Sequence, residues 1–415
     1  MRWTRGQTAA PASAHIELSS RSPGEPGAIA LVQITCCRPR CFIGPGANCE
    51  RAFRVRAWAP YQRFHGPVSC RGGPDAWARC SVRDEKIMTR VHILGTGGTI
   101  AGQGATDTSS SYRPGSVMIQ QVIDSVPGLD QLAEVTGEQF AQVSSQDMNE
   151  LLWQGLANRI DELFEAEAAD GIVITHGTDT AEETGYFLHL TVKSSRPVVL
   201  TGSMRPATSL SADGPLNLYN AVSVAADLEA RNRGVMLAIN DDLHSARDVT
   251  KSSTTDVQTF ISPGAGLLGT ARLGRIRYYR RPVRRHTLNS IFTAGNEGRL
   301  PRVDVLYAHA GMSPDLVRAS VSLGTRGIVV AGVGNGNVPG PVVHALREAV
   351  EAGVRVVRSA RVGNGDVERG VELDDDALGF VVSDQLNPQK SRVLLQLCLA
   401  HHLDSSAVQN AFYQY

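Results

Sequence analysis

The stretch VHILGTGGTIAG (residues 91–102) joins a short, largely apolar run to a turn built from glycines and threonines. The apolar run predicts a buried strand, and the turn follows at the carboxyl end of that strand. A second stretch, GIVITHGTDT (residues 171–180), has the same arrangement. Ligands of open parallel sheets bind beyond the carboxyl ends of the strands, so both turns are candidate parts of one site.

Strand and helix patterns alternate around these two stretches. Further strands are predicted at residues 197–200 and 235–239, and helices at residues 181–192 and 215–228. This alternation predicts an α/β fold with a doubly wound, mostly parallel sheet that carries helices on both faces. We assign it to a large N-terminal domain, residues 88–279.

A smaller α/β domain is predicted after a break in the pattern. Residues 274–300 are rich in arginine and lack periodicity, which is typical of an exposed linker, and we place this linker at residues 280–301. The alternation then resumes and predicts a C-terminal domain at residues 302–415. Its strands are expected at residues 303–307, 327–331 and 354–357, and its helices from residues 314, 339 and 387.

Residues 1–87 differ from the rest of the chain in composition. They contain six of the seven cysteines, and 12 arginines and one lysine against six acidic residues, without strand or helix periodicity. The longest apolar run of this segment, residues 28–34, is too short for a secretory signal, and the acidic residues argue against a transit peptide. A disulfide module is another possibility, whereas cysteine pairs with zinc-ligand spacing are lacking. We predict a disordered extension or a mis-assigned start upstream of Met88.

The composition of the whole chain excludes several classes of protein. Of the 415 residues, 42% are hydrophobic and 20% are charged, which is ordinary for a globular protein. The 41 basic and 41 acidic side chains cancel, which argues against a dedicated binder of nucleic acid or of an anionic membrane. No apolar run approaches the roughly 20 residues that span a bilayer. We therefore expect no nucleic-acid or membrane partner, and a cytoplasmic location because no signal peptide is recognised.

The glycine spacing of the first turn argues against a dinucleotide site. Counted from Gly95, the third glycine, Gly102, falls two residues late for a G-x-G-x-x-G loop, and no acidic residue closes a strand about 20 residues further on. Glycines in such a turn can instead leave backbone N–H groups available for an oxyanion, and the Thr99 hydroxyl beside them is a candidate nucleophile. The alternative is that Thr99 only caps a helix.

The second turn adds two hydroxyls and a carboxylate to the same edge of the predicted sheet. Helix capping explains one of Thr178, Asp179 and Thr180 but hardly all three, which favours a functional site. His176 is expected to be a buried structural residue, because no other histidine clusters with it. The 11 histidines are dispersed and no H-E-x-x-H motif occurs, so we expect no metal.

Two motifs, TGGTIAG (residues 96–102) and ITHGTDTAEET (residues 174–184), resemble the two signatures of the bacterial type II L-asparaginases. The resemblance covers residues 88–415 and none of residues 1–87, and AEETGYFLHLT favours type II over type I. The further matching motifs are SSQDMN (144–149), TGSMRP (201–206), SADGPLNLYNA (211–221), RDVTKSSTTD (247–256), AGVGNGN (331–337) and LNPQKSRVLLQL (386–397).

The resemblance implies catalytic roles for five residues. Thr99 matches the primary nucleophile of the family, and Tyr112 matches the tyrosine of a mobile lid. Thr178, Asp179 and Lys251 match a second catalytic cluster. A neutral Lys251 would accept a proton through Thr178, and the sequence leaves open which threonine is acylated.

The resemblance also implies how the substrate is held. Ser145, Gln146, Thr178 and Asp179 match residues that bind the α-carboxylate and α-ammonium groups of L-asparagine. Glu372 matches a glutamate that reaches the site from a neighbouring subunit, since members of the family are homotetramers with sites between the subunits of a dimer. No cofactor is implied.

The expected reaction is hydrolysis of L-asparagine to L-aspartate and ammonia through a threonine nucleophile and an acyl-enzyme. A dual glutaminase-asparaginase is an alternative, because Gly311 lies in a segment that varies in the family at the edge of the site. The glutaminase-like subunit of a tRNA-dependent amidotransferase is another, as is a dinucleotide-dependent oxidoreductase, which the glycine spacing disfavours. A non-catalytic amino-acid sensor on the same fold would bind aspartate without turnover.

Overall fold

The structure is a computed structural model. It describes residues 88–104, 112–113, 115–295 and 298–415, together with five short strands between residues 13 and 82. Only the backbone is described for those five strands and for residues 103–104 and 112–113. The contacts within the chain divide it into two units, Met1–Ile87 and Met88–Tyr415.

The described part of the first unit consists of β-strands. The first three form an antiparallel sheet in chain order, and the last two form an antiparallel pair. The expectation that this segment lacks strand periodicity is wrong for residues 13–19, where Ala14, Ile16 and Leu18 alternate with polar residues. The prediction of a disordered extension or a mis-assigned start rests largely on residues outside the described ones and stays a prediction. The strands are β1 (Ser13–Ser19), β2 (Ile29–Thr35), β3 (Val55–Ala57), β4 (Val68–Arg71) and β5 (Arg79–Val82).

The second unit begins with the elements of the large domain. Its strands, in chain order, are β6 (Arg90–Gly97), β7 (Gln103–Gly104), β8 (Tyr112–Arg113), β9 (Glu134–Val143), β10 (Gly171–Thr175), β11 (Val198–Thr201), β12 (Val235–Ile239), β13 (Asp242–Ser245), β14 (Thr250–Lys251), β15 (Phe260–Ile261), β16 (Gly269–Arg272) and β17 (Arg275–Tyr278). Its helices are α1 (Ile119–Asp124), α2 (Leu129–Leu132), α3 (Glu150–Glu165), α4 (Ala181–Thr191) and α5 (Gly214–Ala226).

The large sheet has the strand order β17-β16-β13-β12-β11-β10-β6-β9. The strands from β12 to β9 run parallel, which confirms the predicted α/β fold with a mostly parallel sheet. Beyond β12, the strands β13, β16 and β17 extend the sheet in an antiparallel direction. Two small antiparallel pairs, β7 with β8 and β14 with β15, lie outside this sheet.

Strand β10 illustrates why helices cover both faces of the large sheet. All five residues of its sequence GIVIT are buried. Ile172 and Ile174 belong to the hydrophobic cluster that includes α3 and α4, whereas Val173 belongs to the cluster that includes α5. Successive side chains of a strand point to opposite faces, so a fully apolar strand needs a packed layer on each side.

The C-terminal domain repeats this arrangement on a smaller scale. Its four strands are parallel and lie in chain order. Helix α9 joins it to the large domain, because Leu394 and Leu395 share one hydrophobic cluster with Phe187 of α4 and Val329 of the small sheet. The elements are β18 (Val303–Tyr307), α6 (Asp315–Ser322), β19 (Gly327–Gly332), α7 (Gly340–Glu351), β20 (Arg355–Ala360), α8 (Asp375–Leu378), β21 (Val381–Val382), α9 (Pro388–Ala400) and α10 (Ser405–Gln414).

The arginine-rich segment that the sequence analysis interprets as a linker starts with an edge strand. Residues 275–278 form β17, where exposed arginines alternate with the half-buried Ile276 and Tyr278. Part of its arginine content serves the fold, since the Arg280 guanidinium lies 2.9 Å from Asp248 Oδ2. The alternation with period two was therefore present in the sequence, but four residues were too few to distinguish it from a loop.

Candidate active site

The two glycine-rich turns meet at one edge of the large sheet. Strands β6 and β10 are parallel neighbours with Thr175 opposite Gly95, so the segments that follow them emerge side by side. Gly98 has a φ of +79°, and a Cβ atom at this position would lie 2.4 Å from the Cα atom of Gly177. The two backbones are therefore in direct contact, and only glycine fits at residue 98.

Thr99 comes directly after this contact. It is the first residue of the short 3-10 helix Thr99–Ala101, whose N-cap is Gly98, so Thr99 is not the capping residue. Thr99 is buried at the bottom of the turn. The geometry thus disfavours the simple capping role and leaves the hydroxyl in a turn that contacts the second glycine-rich segment.

Ser145 connects a third segment to these two turns. It opens the 3-10 helix Ser145–Asp147 after β9, and its Oγ atom would lie 2.6 Å from a Cβ atom built on Gly177. The Asp179 N–H donates a 3.3 Å hydrogen bond to Ser145 Oγ, and the Thr180 hydroxyl donates a 2.6 Å bond to the Ser145 carbonyl. Because Oγ accepts from Asp179, the Ser145 hydroxyl proton can point toward a ligand carboxylate.

Lys251 links the second turn to strand β14. Its Nζ atom donates hydrogen bonds of 3.0 Å to Thr178 Oγ1 and 2.6 Å to Asp179 Oδ1. The Lys251 side chain is only 16% exposed, whereas that of Asp179 is 62% exposed. A partly buried amine, a hydroxyl and an accessible carboxylate therefore lie together, although Lys251 is 73 residues from Thr178 in the chain.

His176 is buried, as the sequence predicts, and does not serve this cluster as a base. Its Nδ1 atom donates a 2.7 Å hydrogen bond to the Gly177 carbonyl. Burial lowers the pKa of His176 to about 4, so the ring is neutral near pH 7. The neutral ring supports the backbone of the second turn without adding charge beneath it.

Two further predicted site residues, Gln146 and Tyr112, belong to segments that follow β9 and the first turn. Gln146 is the second residue of the 3-10 helix that begins at Ser145, and it is exposed. Tyr112 belongs to β8, which pairs with β7 so that Tyr112 lies opposite Gly104. The predicted lid is residues 102–115, of which residues 105–111 and the side chain of Tyr112 lie outside the described residues.

Glu372 is located on the C-terminal domain. It precedes α8, is exposed, and accepts a hydrogen bond from the Asn337 side-chain amide. Within the described residues, no hydrogen bond joins Glu372 to Thr178, Asp179 or Lys251 of the same chain. Asn337 was not singled out by the sequence analysis, although it ends the matched motif AGVGNGN.

A buried ion pair supports the loop that carries Glu372. The Arg358 guanidinium contacts both oxygens of Asp375, at 2.6 and 2.8 Å. It also donates to the backbone carbonyls of Asn335, Gly336 and Glu368. The same guanidinium therefore fixes the backbone next to Asn337 and the loop before Glu372.

The arrangement provides hydroxyl, amine and carboxylate groups but no recognisable metal centre. Among the described residues, no group of three or more histidine, cysteine, aspartate or glutamate side chains is placed to hold a metal ion. Likewise, no helix in the described part of the chain has the length and apolarity needed to cross a membrane. These groups can bind a small zwitterion and transfer a proton from a hydroxyl.

The fold and site together define an α/β enzyme whose reactive groups gather at the carboxyl ends of parallel strands. Residues 90–284 match the family model described as asparaginase, N-terminal, and residues 302–412 match the glutaminase/asparaginase C-terminal domain. The chain therefore belongs to the asparaginase family.

Curated relatives and a solved structure agree with this family. The chain is 48% identical to L-asparaginase 2 of Escherichia coli over 328 residues, and this alignment covers 79% of the chain and 94% of the relative. It is 44% identical to a glutaminase-asparaginase of Pseudomonas fluorescens over 336 residues, which are 80% of the chain and 92% of that relative. A crystal structure of a probable cytoplasmic L-asparaginase from Campylobacter jejuni matches with 45% identity and a TM-score of 0.77, covering 79% of this chain and all of the other.

Proposed function

We propose that the protein hydrolyses L-asparagine to L-aspartate and ammonia through an acyl-enzyme on a threonine. The observation that carries the proposal is the contact of Lys251 with Thr178 and Asp179 beside the turn of Thr99. The names of its relatives support asparagine as the substrate. The remaining steps follow from the chemistry of these groups.

Substrate binding uses one fixed charge and neutral donors. Asp179 is accessible and holds the α-ammonium group of asparagine, while the Ser145 hydroxyl donates to the α-carboxylate. Gln146, which is exposed beside Ser145, adds a polar contact. This pattern of charge fits an α-amino acid and leaves the side-chain amide to face the reacting groups.

Bond cleavage starts with the Thr99 hydroxyl. Its oxygen attacks the amide carbon while its proton passes by way of Thr178 to a neutral Lys251 amine, since the 3.0 Å Lys251–Thr178 contact can then run with the hydroxyl as donor. The amide nitrogen takes up a proton and leaves as ammonia, and water hydrolyses the resulting aspartyl ester. Peptide N–H groups of the turns would stabilise the oxyanion, each by about 2.7–4 kcal/mol.

The test is ammonia release by the purified protein and by two variants. Thr99→Val and Lys251→Met should each lower kcat by at least about 100-fold with an unchanged circular dichroism spectrum. Mass spectrometry of a rapidly quenched reaction should find the aspartyl adduct on the peptide that contains Thr99. Near-normal turnover in either variant contradicts the role of that residue, and an adduct on the peptide containing Thr178 reverses the two threonines.

A dual glutaminase-asparaginase is the second candidate function. The 44% identity to an enzyme named glutaminase-asparaginase supports it. Parallel measurement of ammonia release from L-asparagine and L-glutamine distinguishes the two, because comparable kcat/KM values would make the enzyme dual. Dependence on a partner protein for any release would instead favour an amidotransferase subunit, and tight aspartate binding without turnover would favour a sensor.

The active unit is proposed to be a homotetramer in which Glu372 of one subunit completes the site of another. The position of Glu372, which has no described hydrogen bond to Thr178 or Lys251 of its own chain, supports this assignment. Light scattering coupled to gel filtration measures the mass. An active monomer would remove Glu372 from the mechanism.

The proposed domain boundaries are 88–279, a linker at 280–301 and 302–415, with residues 1–87 dispensable. The family model starting at residue 90 supports this proposal. Equal activity of residues 88–415 and of the full chain would agree with it, whereas activity in the full chain alone would make residues 1–87 a required domain. The cytoplasm is the proposed location of the protein. The word cytoplasmic in the name of the Campylobacter jejuni structure supports it, and the word periplasmic in the name of a Haemophilus influenzae relative opposes it. Cell fractionation decides between them.

A further inference from the structure

Two matched motifs have no role in the mechanism above, and the structure brings them together. One is the pair of glutamates Glu182 and Glu183, which follows the second turn in TDTAEET (residues 178–184). The other is NPQK (residues 387–390) at the start of α9. They are about 200 residues apart in the chain, and they meet at the buried carboxylate of Glu182. This cluster lies directly behind the segment that carries Lys251.

Glu182 receives hydrogen bonds from two separate elements. Oε1 accepts from the Thr250 hydroxyl at 3.2 Å and from the Gln389 amide at 3.1 Å. Oε2 accepts from the Asn387 amide at 2.8 Å and lies 3.6 Å from Lys390 Nζ. The carboxylate is thus fully surrounded by donors, with β14 on one side and the start of α9 on the other.

Lys390 fixes the backbone that leads into β14. Its side chain is buried, and Nζ donates to the Arg247 carbonyl at 2.8 Å and to the Val249 carbonyl. Lys390 therefore holds residues 247 and 249 by their main chain, while Glu182 holds residue 250 by its hydroxyl. The segment that leads to Lys251 is therefore held at three points, residues 247, 249 and 250.

The alternation of side chains along β14 links these contacts of Glu182 and Lys390 to the position of Lys251. Successive side chains in a strand point in opposite directions, so Thr250 reaches Glu182 and Lys251 reaches Thr178 from the opposite side of β14. Glu182 is the second residue of α4, three residues after Asp179. The same helix start thus carries both the catalytic turn and the acceptor that locates the strand of Lys251.

We propose that Glu182, clamped by Thr250 and the start of α9, is a positioning residue that sets the contact between Lys251 and Thr178. This inference rests on the proposed function, in which that contact transfers a proton. A buried ion pair is a poor means of gaining stability, because apolar side chains of similar volume often serve as well. Its hydrogen bonds can nevertheless specify the position of a strand, because a fully satisfied buried polar network makes the local structure rigid.

The decisive comparison is Thr250→Val with Thr250→Ser. Valine keeps the branched shape and removes the hydroxyl that Glu182 accepts, whereas serine keeps the hydroxyl and removes a methyl group. We expect kcat for L-asparagine to fall about tenfold in Thr250→Val with KM within about twofold of wild type, because small misplacements of a reacting group mainly affect kcat. Thr250→Ser should stay within about twofold of wild type in both constants.

A second variant and a matched control separate positioning from stability. Glu182→Gln removes the charge that faces Lys390, and it should lower kcat at least as much as Thr250→Val. Thr191→Val, on the same helix, removes a buried hydroxyl that donates to the Phe187 carbonyl at 2.8 Å but has no link to β14. It should shift the melting temperature without changing kcat by more than about twofold.

A direct readout of Lys251 makes the test independent of turnover. Peptide mass spectrometry after brief treatment with acetic anhydride should show Lys251 modified several times faster in Thr250→Val than in wild type, with Thr250→Ser unchanged. Equal kcat and equal Lys251 labelling in Thr250→Val and wild type overturn the inference. A loss of kcat in Thr250→Ser as large as that in Thr250→Val also overturns it. A wild-type protein that releases no ammonia contradicts the proposed function, and the labelling comparison then decides the positioning role alone.

Discussion

Breaking the buried ion pair Arg358–Asp375 should both destabilise the C-terminal domain and lower the activity of the protein. Asp375 is 0% exposed and Arg358 1% exposed, so loss of one partner leaves the other charge buried without compensation. Such changes cost about 3–5 kcal/mol. Asp375→Asn should therefore cost about this much, and Arg358→Met should cost more, because it also leaves the carbonyls of Asn335, Gly336 and Glu368 without their donor.

The assay is urea unfolding of Arg358→Met, of Asp375→Asn and of the double variant that combines these two substitutions. The pair interacts directly, so the double variant should be more stable than the sum of the two single effects predicts, by at least about 2 kcal/mol. In a unit of this size, a loss of 3–5 kcal/mol corresponds to a melting temperature lower by about 4–8 °C. The pair of half-buried Arg369 and exposed Asp376 supplies a matched control, since Asp376→Asn should cost less than about 1 kcal/mol.

The same variants test the link to the site. Asp375 also accepts a 2.9 Å hydrogen bond from the Gly370 N–H, so it holds both ends of the loop that contains Glu372. We expect Asp375→Asn to lower kcat/KM at least about tenfold at a temperature where the protein is still folded. Additive single effects would refute the buried-pair argument, and a destabilised variant with full activity would refute the role of the loop in the site.

Two further predictions follow from the large domain. Gly98→Ala should abolish ammonia release and lower the melting temperature, because its Cβ atom would lie 2.4 Å from the Gly177 backbone; normal kinetics of this variant would mean that the two turns are not in contact. Burial lowers the pKa of His176 to about 4, of His189 to about 3 and of His244 to about 4. The unfolded chain protonates these rings below about pH 6.5 while the folded chain does not, so the free energy of unfolding should fall by about 2 kcal/mol per histidine from pH 7 to pH 5. Urea titrations at both pH values check this, and His244→Gln should remove about 2 kcal/mol of the decline.

The parts of the fold that the sequence predicted are those in which local pattern and tertiary environment agree. The apolar runs at β10 and β12 are buried on both faces, so they carry no alternation that could be confused with a surface strand. Helices α4 and α9 begin within one residue of the predicted positions. Strands β13 and β16 were not predicted, because they are four residues long and their antiparallel pairing is decided by neighbours rather than by their own sequence.

The candidate site also contains features that the sequence could predict and features that it could not. The rule that parallel strands end at one edge predicts that both turns lie at the same edge of the sheet. The direct contact of Gly98 with Gly177 also requires β6 and β10 to be neighbours, which the strand patterns do not specify. The contact of Lys251 with Thr178 was not predictable, since residues 252–258 and the short pair β14–β15 carry no periodicity that would fix a direction. Only the resemblance to a family indicated Lys251. The same resemblance could have indicated Asn337, because Asn337 is the last residue of the matched motif AGVGNGN.

On the two proposals above, the C-terminal domain contributes to the site in two ways. Through the loop between Arg358 and Asp375 it supplies Glu372, which the homotetramer hypothesis assigns to a neighbouring subunit. Through the start of α9 it supplies Asn387 and Lys390, which clamp Glu182 and the strand of Lys251 within the same subunit. The large domain carries all the groups proposed to react, but on this argument it does not hold them in place alone. A change at the start of α9 should consequently alter kcat in every subunit independently of assembly, whereas a change at Glu372 should act across the subunit interface.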